Sequence, residues 1–257
     1  MYDFLFSNLN NFINWDTGEC DFCSQEFKDI LEFCNGGILT EQMTEGDYEA
    51  LWTEIEKKME EGNVLLYFCG GGVTLNEIQW VRQKFGTDIK FIGLPEKDRQ
   101  GSYFRFTEPY GLYAGSDVKQ EAGDFIKMVM SEEYQINVNH IHYGILPTRK
   151  DALEWKLQAQ MAKTAFEDSY GNWIEPKEPD VWYTSSGEER RMEVPSQADA
   201  DLLWDLVNRT KKRVLSDADA ESIIMEEAEA YFHGEKTLDK VANTIQKRMT
   251  TYVNEQK

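Results

Sequence analysis

The chain has 257 residues, enough for one large domain or two small ones with an apolar core. Its 47 acidic and 27 basic side chains give a net charge of −20, which argues against a nucleic-acid partner because phosphates would be repelled. No apolar run approaches the ~20 residues that a membrane-spanning helix needs.

The first quarter of the chain predicts a turn and two amphipathic helices. Trp15-Asp16-Thr17-Gly18 has the composition of a turn, and Ser24 is a predicted N-cap for the first helix. The second helix carries Trp52 on its apolar stripe and ends at Gly62. We therefore expect Trp52 to be a core residue, and we expect the acidic face of this helix, which includes Glu60, to be solvated.

The four cysteines do not identify a chemistry. Cys20 and Cys23 form a C-x-x-C pair, but a redox pair needs a thioredoxin-like βαβ context and a zinc site needs a second pair of ligands. Cys34 and Cys69 follow apolar patterns that indicate small core residues. We expect no metal and no cofactor, and the oxidation state of Cys20 and Cys23 stays open.

One stretch predicts a βαβ unit. The apolar runs 64–68 and 89–93 are typical of strands buried on both faces. Between them lie a turn, Gly70-Gly71-Gly72, and a helix that begins with a capping box at Thr74 and ends at Gly86. Parallel pairing with a right-handed crossover is expected, and in such sheets ligands bind beyond the carboxyl ends of the strands, where the glycine turn lies.

The rest of the chain alternates between strand-like, irregular and helical patterns. Residues 103–106 and 110–114 are strand-like, whereas 168–195 is rich in turn residues. The last third predicts three helices with capping residues at Ser196, Ser216 and Thr237.

Two groups of residues are candidates for ligand binding. The turn Gly70-Gly71-Gly72 lacks the features of a phosphate-binding loop, so it is either a simple tight turn or a close approach of backbone to a ligand. Aromatic side chains in irregular segments of an acidic chain suit stacking on a sugar better than on a base, with local packing as the alternative for each. These aromatic side chains are Tyr103, Phe104, Phe106, Trp173, Trp182 and Tyr183. Of these, Tyr103, Phe104, Trp182 and Tyr183 are the predicted ligand-binding residues.

Evidence for an enzyme is weaker. His140 and His142 share one strand face, but no third ligand stands at a useful spacing, so a surface position is favoured over a metal site. The sequence has no Gly-x-Ser-x-Gly elbow. A glycoside hydrolase or transferase that uses two of the many carboxylates stays open as an alternative.

A series of short motifs occurs in the order in which one known family has them. It includes Trp15-Asp16-Thr17-Gly18, Ile92-Gly93-Leu94-Pro95 and the run 146–153. Its most specific part is the tail, 234–242, 245–248 and 252–255. The other motifs are 62–66, 101–102, 110–112, 122–125, 131–135 and 226–232. On these residues the chain resembles the C-terminal portion of an extracellular solute-binding protein of a carbohydrate-type ABC importer, a family abundant in Gram-positive bacteria.

The resemblance implies a periplasmic-binding-protein-like α/β fold, in which two lobes joined by a hinge close on a ligand. Residues 1–107 and 147–257 would form the second, C-terminal lobe, and 108–146 the hinge crossing with a segment of the first lobe. The family pattern also implies that most of the first lobe, a signal peptide and a lipid-attachment cysteine precede Met1. One lobe alone is expected to bind its ligand only weakly.

The resemblance further implies capture of a sugar or oligosaccharide for import, without catalysis. The implied partners are the permease subunits of the importer, and a lipid anchor would hold the intact protein at the cell surface. The same scaffold with a peptide or polyamine as ligand is the alternative, and the net charge of −20 would favour a cation. Maltose-type relatives have a stacking aromatic where Gly70-Gly71-Gly72 stands, so a sugar platform must come from elsewhere in the chain or the ligand differs. We expect Trp182 to lie within contact distance of the ligand cleft.

Overall fold

The computed structural model describes residues 2–36, 45–69, 72–93, 101–106, 109–139, 145–176, 178–184, 186–213 and 217–256. Over these ranges the chain is a mixed α/β protein in which helices predominate. The helices are α1 (Tyr2–Ser7), α2 (Gln25–Asn35), α3 (Glu45–Glu60), α4 (Leu75–Phe85), α5 (Lys119–Val129), α6 (Glu132–Asn139), α7 (Lys150–Met161), α8 (Gln197–Arg209), α9 (Ala218–Phe232) and α10 (Leu238–Glu255). The strands are β1 (Ile13–Asn14), β2 (Glu19–Cys20), β3 (Tyr103–Phe104), β4 (Phe166–Glu167), β5 (Trp173–Ile174), β6 (Val181–Tyr183), β7 (Glu189–Arg191) and β8 (Lys212–Arg213).

The chain divides into two compact units. Unit 1 consists of Met1–Thr44, Ile92–Arg105 and Thr210–Lys257. Unit 2 consists of Glu45–Phe91 and Phe106–Arg209. The assignment of residues to the two lobes of a larger receptor follows from the resemblance alone and stays a prediction.

The core of unit 1 forms between α1, α2, α9 and α10. As predicted, α2 begins where the Ser24 hydroxyl accepts a hydrogen bond from the Phe27 N–H. In the same way α10 begins at Thr237, which accepts from the Lys240 N–H. Each helix then buries one apolar stripe. The buried residues include Phe22, Phe27, Leu31, Ile224, Ala228, Val241, Ile245 and Met249.

A β-hairpin made of β1 and β2 packs on this core. Its strands pair antiparallel with Ile13 opposite Cys20, and Gly18 completes the predicted turn with φ 74°. Gln246 of α10 makes two hydrogen bonds to the end of the hairpin. Its side-chain oxygen accepts from the Phe22 N–H at 2.6 Å, and its amide donates to the Cys20 carbonyl at 2.8 Å. One side chain thus fixes the end of the hairpin to α10.

Unit 2 is organised by the packing of α4 against α7 and α8. As predicted, Thr74 caps α4 by accepting from the Glu77 N–H at 3.3 Å, and Gly86 ends this helix with φ 62°. The helices bury one shared cluster, which consists of Leu75, Ile78, Leu153, Leu157, Ala200 and Leu203. Two antiparallel hairpins, β4–β5 and β6–β7, belong to the same unit.

A buried polar network joins α8 to α4. Ser196 and Asp199 form the predicted capping box: Asp199 Oδ2 accepts from the Ser196 N–H at 2.8 Å, and Ser196 Oγ accepts from the Asp199 N–H at 3.3 Å. The same carboxylate accepts from Gln79 Nε2 at 2.8 Å and pairs with the Arg82 guanidinium. The position of α8 therefore depends on charge as well as on apolar burial.

The predicted βαβ unit is wrong. Its helix exists as α4, but the apolar runs 64–68 and 89–93 contain no strand, and the side chains of Leu65 and Ile92 are 94% and 67% exposed. An apolar run becomes a buried strand only when neighbouring strands pair with it. Among the described residues the parallel pairing is instead between β3 and β8 in unit 1, with Tyr103 opposite Lys212.

Candidate ligand-binding site

Trp182, one of the predicted ligand residues, lies on β6 and packs against α4. Its half-buried ring is contacted by the ammonium group of Lys84, whose Nζ is 3.8 Å from the ring centroid. The indole N–H donates a hydrogen bond to Gln83 Oε1 at 3.2 Å. Two consecutive residues of α4 therefore fix both the face and the edge of one tryptophan ring.

Lys84 is buried although it is a charged residue, with an exposed fraction of 2%. Glu56 and Glu60, one turn apart on α3, place carboxylate oxygens 3.2 and 3.6 Å from its Nζ. Within the described ranges this Nζ has no partner with hydrogen-bond geometry, so the contacts are charge–charge attractions. The ammonium also lies 5.8 Å from the Trp80 ring centroid. Lys84 thus joins α3, α4 and β6 at one point.

Trp80 and Trp182 lie beside this lysine, and Trp52 and Tyr67 pack against Trp80. We call these four residues, Trp52, Tyr67, Trp80 and Trp182, the tryptophan cluster. The rings of Trp52 and Trp80 stack at 6.1 Å with 13° between their planes, and Tyr67 lies 5.8 Å from Trp80. Trp52 is 37% exposed, so the prediction that it is a core residue is wrong. Its ring packs on another indole near the surface, and such a ring offers a flat apolar face to a ligand.

Glu77 adds a carboxylate beside the cluster. It lies in the first turn of α4, and the side chains of Tyr67 and Cys69 hydrogen-bond to it. Burial raises the pKa of Glu77 above its ordinary value, although these two hydrogen bonds act in the opposite direction. Burial, the Glu77 charge and the bond to it also raise the pKa of Cys69 to about 12.

The predicted site residues fall in both units. Trp182 and Tyr183 lie on β6 of unit 2, where Tyr183 is 60% exposed. Gly72 also belongs to unit 2; its N–H closes a turn on the Cys69 carbonyl at 3.3 Å and its φ is 96°. Tyr103 and Phe104 form β3 of unit 1. Gly70, Gly71, His140 and His142 lie outside the described residues.

Sequence reasoning missed Lys84 and its acidic partners. Glu60 is exposed, as predicted for the acidic face of α3, but its carboxylate also contacts the buried ammonium of Lys84. One local signal was available: Trp80 and Lys84 are four residues apart on a helix, a spacing at which two side chains meet. The approach of Trp182 from a distant strand has no such signal.

Unit 1 contains a surface depression of about 550 Å³ along the β1–β2 hairpin. Trp15 lines it, and its indole N–H donates to Asn10 Oδ1 at 3.3 Å. Carboxylates of Asp16, Glu19 and Asp21 also line it, and none of the described residues around it is basic. An indole face among carboxylates attracts a cation.

Cys20, Cys23, Cys34 and Cys69 are free thiols. No group of three or more histidine, cysteine or acidic side chains among the described residues is arranged to hold a metal ion. In the same ranges, no helix combines the length and the apolar composition that crossing a bilayer requires.

Comparison with models of known protein families gives no match, and no curated protein sequence matches the chain.

Proposed function

We propose that this chain is the ligand-binding part of an extracellular solute-binding protein of the ABC-importer type, and that it captures a sugar or an oligosaccharide. The observation that carries the proposal is the tryptophan cluster, in which partly exposed flat rings adjoin carboxylate and amide groups. The proposal includes a periplasmic-binding-protein-like fold, with 1–107 and 147–257 in its second lobe.

The chemistry of the cluster matches that of a sugar. The C–H faces of a pyranose ring are apolar and stack on indole rings, whereas the hydroxyl groups at its rim need hydrogen-bonding partners. Glu77 carries such a group on the helix that also carries Trp80. A net charge of −20 disfavours an anionic ligand.

The same proposal defines the partners. In this role the chain binds its ligand without chemical change and delivers it to the permease subunits of an importer. A lipid anchor would hold the intact protein at the cell surface. These parts of the proposal rest on the family motifs, above all the tail 234–242.

Calorimetric titration with a panel of oligosaccharides at millimolar concentration tests the proposal. Trp182→Ala is expected to weaken binding about tenfold, because a stacking platform is lost. Trp173→Ala is the matched control, since Trp173 is a more exposed tryptophan of the same unit that lies outside the cluster.

Three results would contradict this proposal. If no oligosaccharide binds, the ligand class is wrong. If Trp173→Ala weakens binding and Trp182→Ala does not, the site lies elsewhere in unit 2. If the oligosaccharide is cleaved or transferred, the chain is a glycoside hydrolase or transferase rather than a receptor.

The depression in unit 1 favours a second candidate ligand, an organic cation such as a polyamine. Its support is the combination of Trp15 with the carboxylates of Asp16, Glu19 and Asp21. Titration with spermidine tests it: binding that weakens several-fold in Asp16→Asn and that Trp182→Ala leaves unchanged would favour the cation over the sugar.

A further inference from the structure

Lys84 has contacts on two sides, with the Trp182 ring of β6 and with two carboxylates of α3. The ammonium lies 3.8 Å from the Trp182 ring centroid, and the carboxylates of Glu56 and Glu60 approach the same Nζ from α3. Because Lys84 is 2% exposed, water screens these attractions little. The lysine is therefore held in place by α3 and in turn attracts the indole of β6.

A neutral side chain at this position would loosen the arrangement. Glu56 and Glu60 are four residues apart on one helix, where two like charges repel unless a cation lies between them. The Trp182 ring would keep its hydrogen bond to Gln83 but lose the attraction at its face. The indole would then have more than one orientation available.

We propose that Lys84 is a positioning residue of the ligand site, which orders the Trp182 indole before a ligand arrives. The inference rests on the proposed sugar-binding function, since it assigns to Trp182 the role of a stacking platform. Lys84 itself does not touch the ligand. An indole ring that is already ordered loses less rotational freedom when the ligand binds. The affinity for the ligand therefore depends on Lys84, which orders the Trp182 ring.

The test compares Lys84→Met, which keeps the length of the side chain and removes its charge, with wild type. Sugar affinity, measured by calorimetry, is expected to fall about tenfold. Quenching of Trp182 fluorescence by acrylamide is expected to rise in Lys84→Met. The contribution of Trp182 is the difference in quenching between a protein with Trp182 and the same protein with Trp182→Phe, measured for wild type and for Lys84→Met. Lys84→Arg is expected to keep the sugar affinity and the Trp182 quenching of wild type, because a guanidinium group also stacks on an indole.

Lys156→Met is the matched control. Lys156 is another buried lysine of unit 2, but its ammonium donates to the Ile145 carbonyl rather than contacting Trp182. This variant is expected to leave both sugar affinity and Trp182 quenching unchanged. If Lys84→Met does not fold, as judged by circular dichroism, Lys84→Gln replaces it, because its neutral amide hydrogen-bonds to the two carboxylates.

The readouts separate failure of this inference from failure of the proposed function. If wild type binds sugar and Lys84→Met binds it equally well, Lys84 is not a positioning residue. If wild type binds no sugar, the proposed function is wrong, and the quenching experiment still decides whether Lys84 orders Trp182. Quenching that is the same in wild type and Lys84→Met would overturn the inference in either case.

Discussion

At the scale of single residues, unit 2 buries two lysines in different surroundings. Lys84 has two carboxylates and two indole rings around its ammonium. Lys156 is 3% exposed and donates to the backbone carbonyl of Ile145. Burial lowers the pKa of Lys156 from 10.5 to about 8. The burial of Lys156 therefore makes the stability of the protein depend on pH in the alkaline range.

The free energy of unfolding of wild type, relative to that of Lys156→Met, should rise as the pH increases from about 8 to 10.5. Below about pH 8 the ammonium is charged in both the folded and the unfolded state, so the folded state carries the whole cost of its burial. Above that pH the folded state loses its proton first. Loss of this proton lowers the free-energy cost of burying Lys156 by at most about 3 kcal/mol, since one pKa unit corresponds to about 1.4 kcal/mol.

Urea unfolding of wild type and Lys156→Met at pH 7, 8, 9 and 10 measures this difference in the free energy of unfolding. Lys163→Met is the control for the loss of one lysine, because Lys163 is exposed and carries no cost of burial. A difference for Lys156→Met that stays constant over this pH range would show that the buried ammonium does not titrate there.

At the scale of elements, several helix ends were predictable and strand pairing was not. The predicted cap of α9 is wrong by one residue: Asp217, not Ser216, is its N-cap and accepts from the Ala220 N–H at 2.9 Å. Ser24, Thr74 and Thr237 accept the expected hydrogen bonds, and Gly86 and Gly234 end their helices with φ of 62° and 71°. These signals are local, because a cap and its partner are three residues apart. A strand depends on a partner that is distant in sequence, and the run 64–68 shows that composition alone does not supply one.

The candidate site shows the same difference between local signals, which the sequence contains, and contacts between distant residues, which it does not. The sequence identified Trp182 as an aromatic residue in an irregular segment, but the burial of Lys84 depends on how α3 packs against α4. Likewise, the tie between the β1–β2 hairpin and α10 joins residues more than 200 positions apart, Phe22 and Gln246. Contacts of this kind come from tertiary packing, and no short motif encodes them.

Gln246→Leu is expected to destabilise unit 1 by about 1–3 kcal/mol, because the Phe22 N–H and the Cys20 carbonyl lose their partner. Thermal or urea unfolding measures the change. Gln25→Leu serves as the control: the side chain of this exposed glutamine donates to Asp29 within α2, so its replacement should change the free energy of unfolding by no more than about 0.5 kcal/mol. Equal stability of the two variants would mean that the hairpin is held by apolar packing alone.

At the scale of the whole molecule, charge opposes the folded state. With 47 acidic and 27 basic side chains, repulsion outweighs attraction when averaged over the chain. Some individual ion pairs act in the other direction, such as Lys28 with Asp239 at 2.6 Å, but that pair is partly exposed. Screening by salt should therefore relieve more repulsion than it removes attraction.

The midpoint of thermal unfolding should rise by about 2–8 °C between 0.01 and 0.5 M NaCl, because the Debye length falls from about 30 Å to a few ångströms. Differential scanning calorimetry measures it, with KCl as a control for specific binding of sodium. A midpoint that is unchanged or lower at high salt would show that favourable ion pairs outweigh the net repulsion.

The discontinuity of unit 1 sets the order in which the protein can fold while it is being made. Unit 2 is complete when Arg209 leaves the ribosome, but unit 1 lacks α9 and α10 until Thr210–Lys257 has been added. At ~5–20 residues per second that takes roughly 2–10 s. During that interval Phe22 and Phe27 have no Ile245 or Met249 to pack against. Within these two units, the segment Met1–Thr44 is synthesised before unit 2 but buried after it, so it is the part that most needs a chaperone.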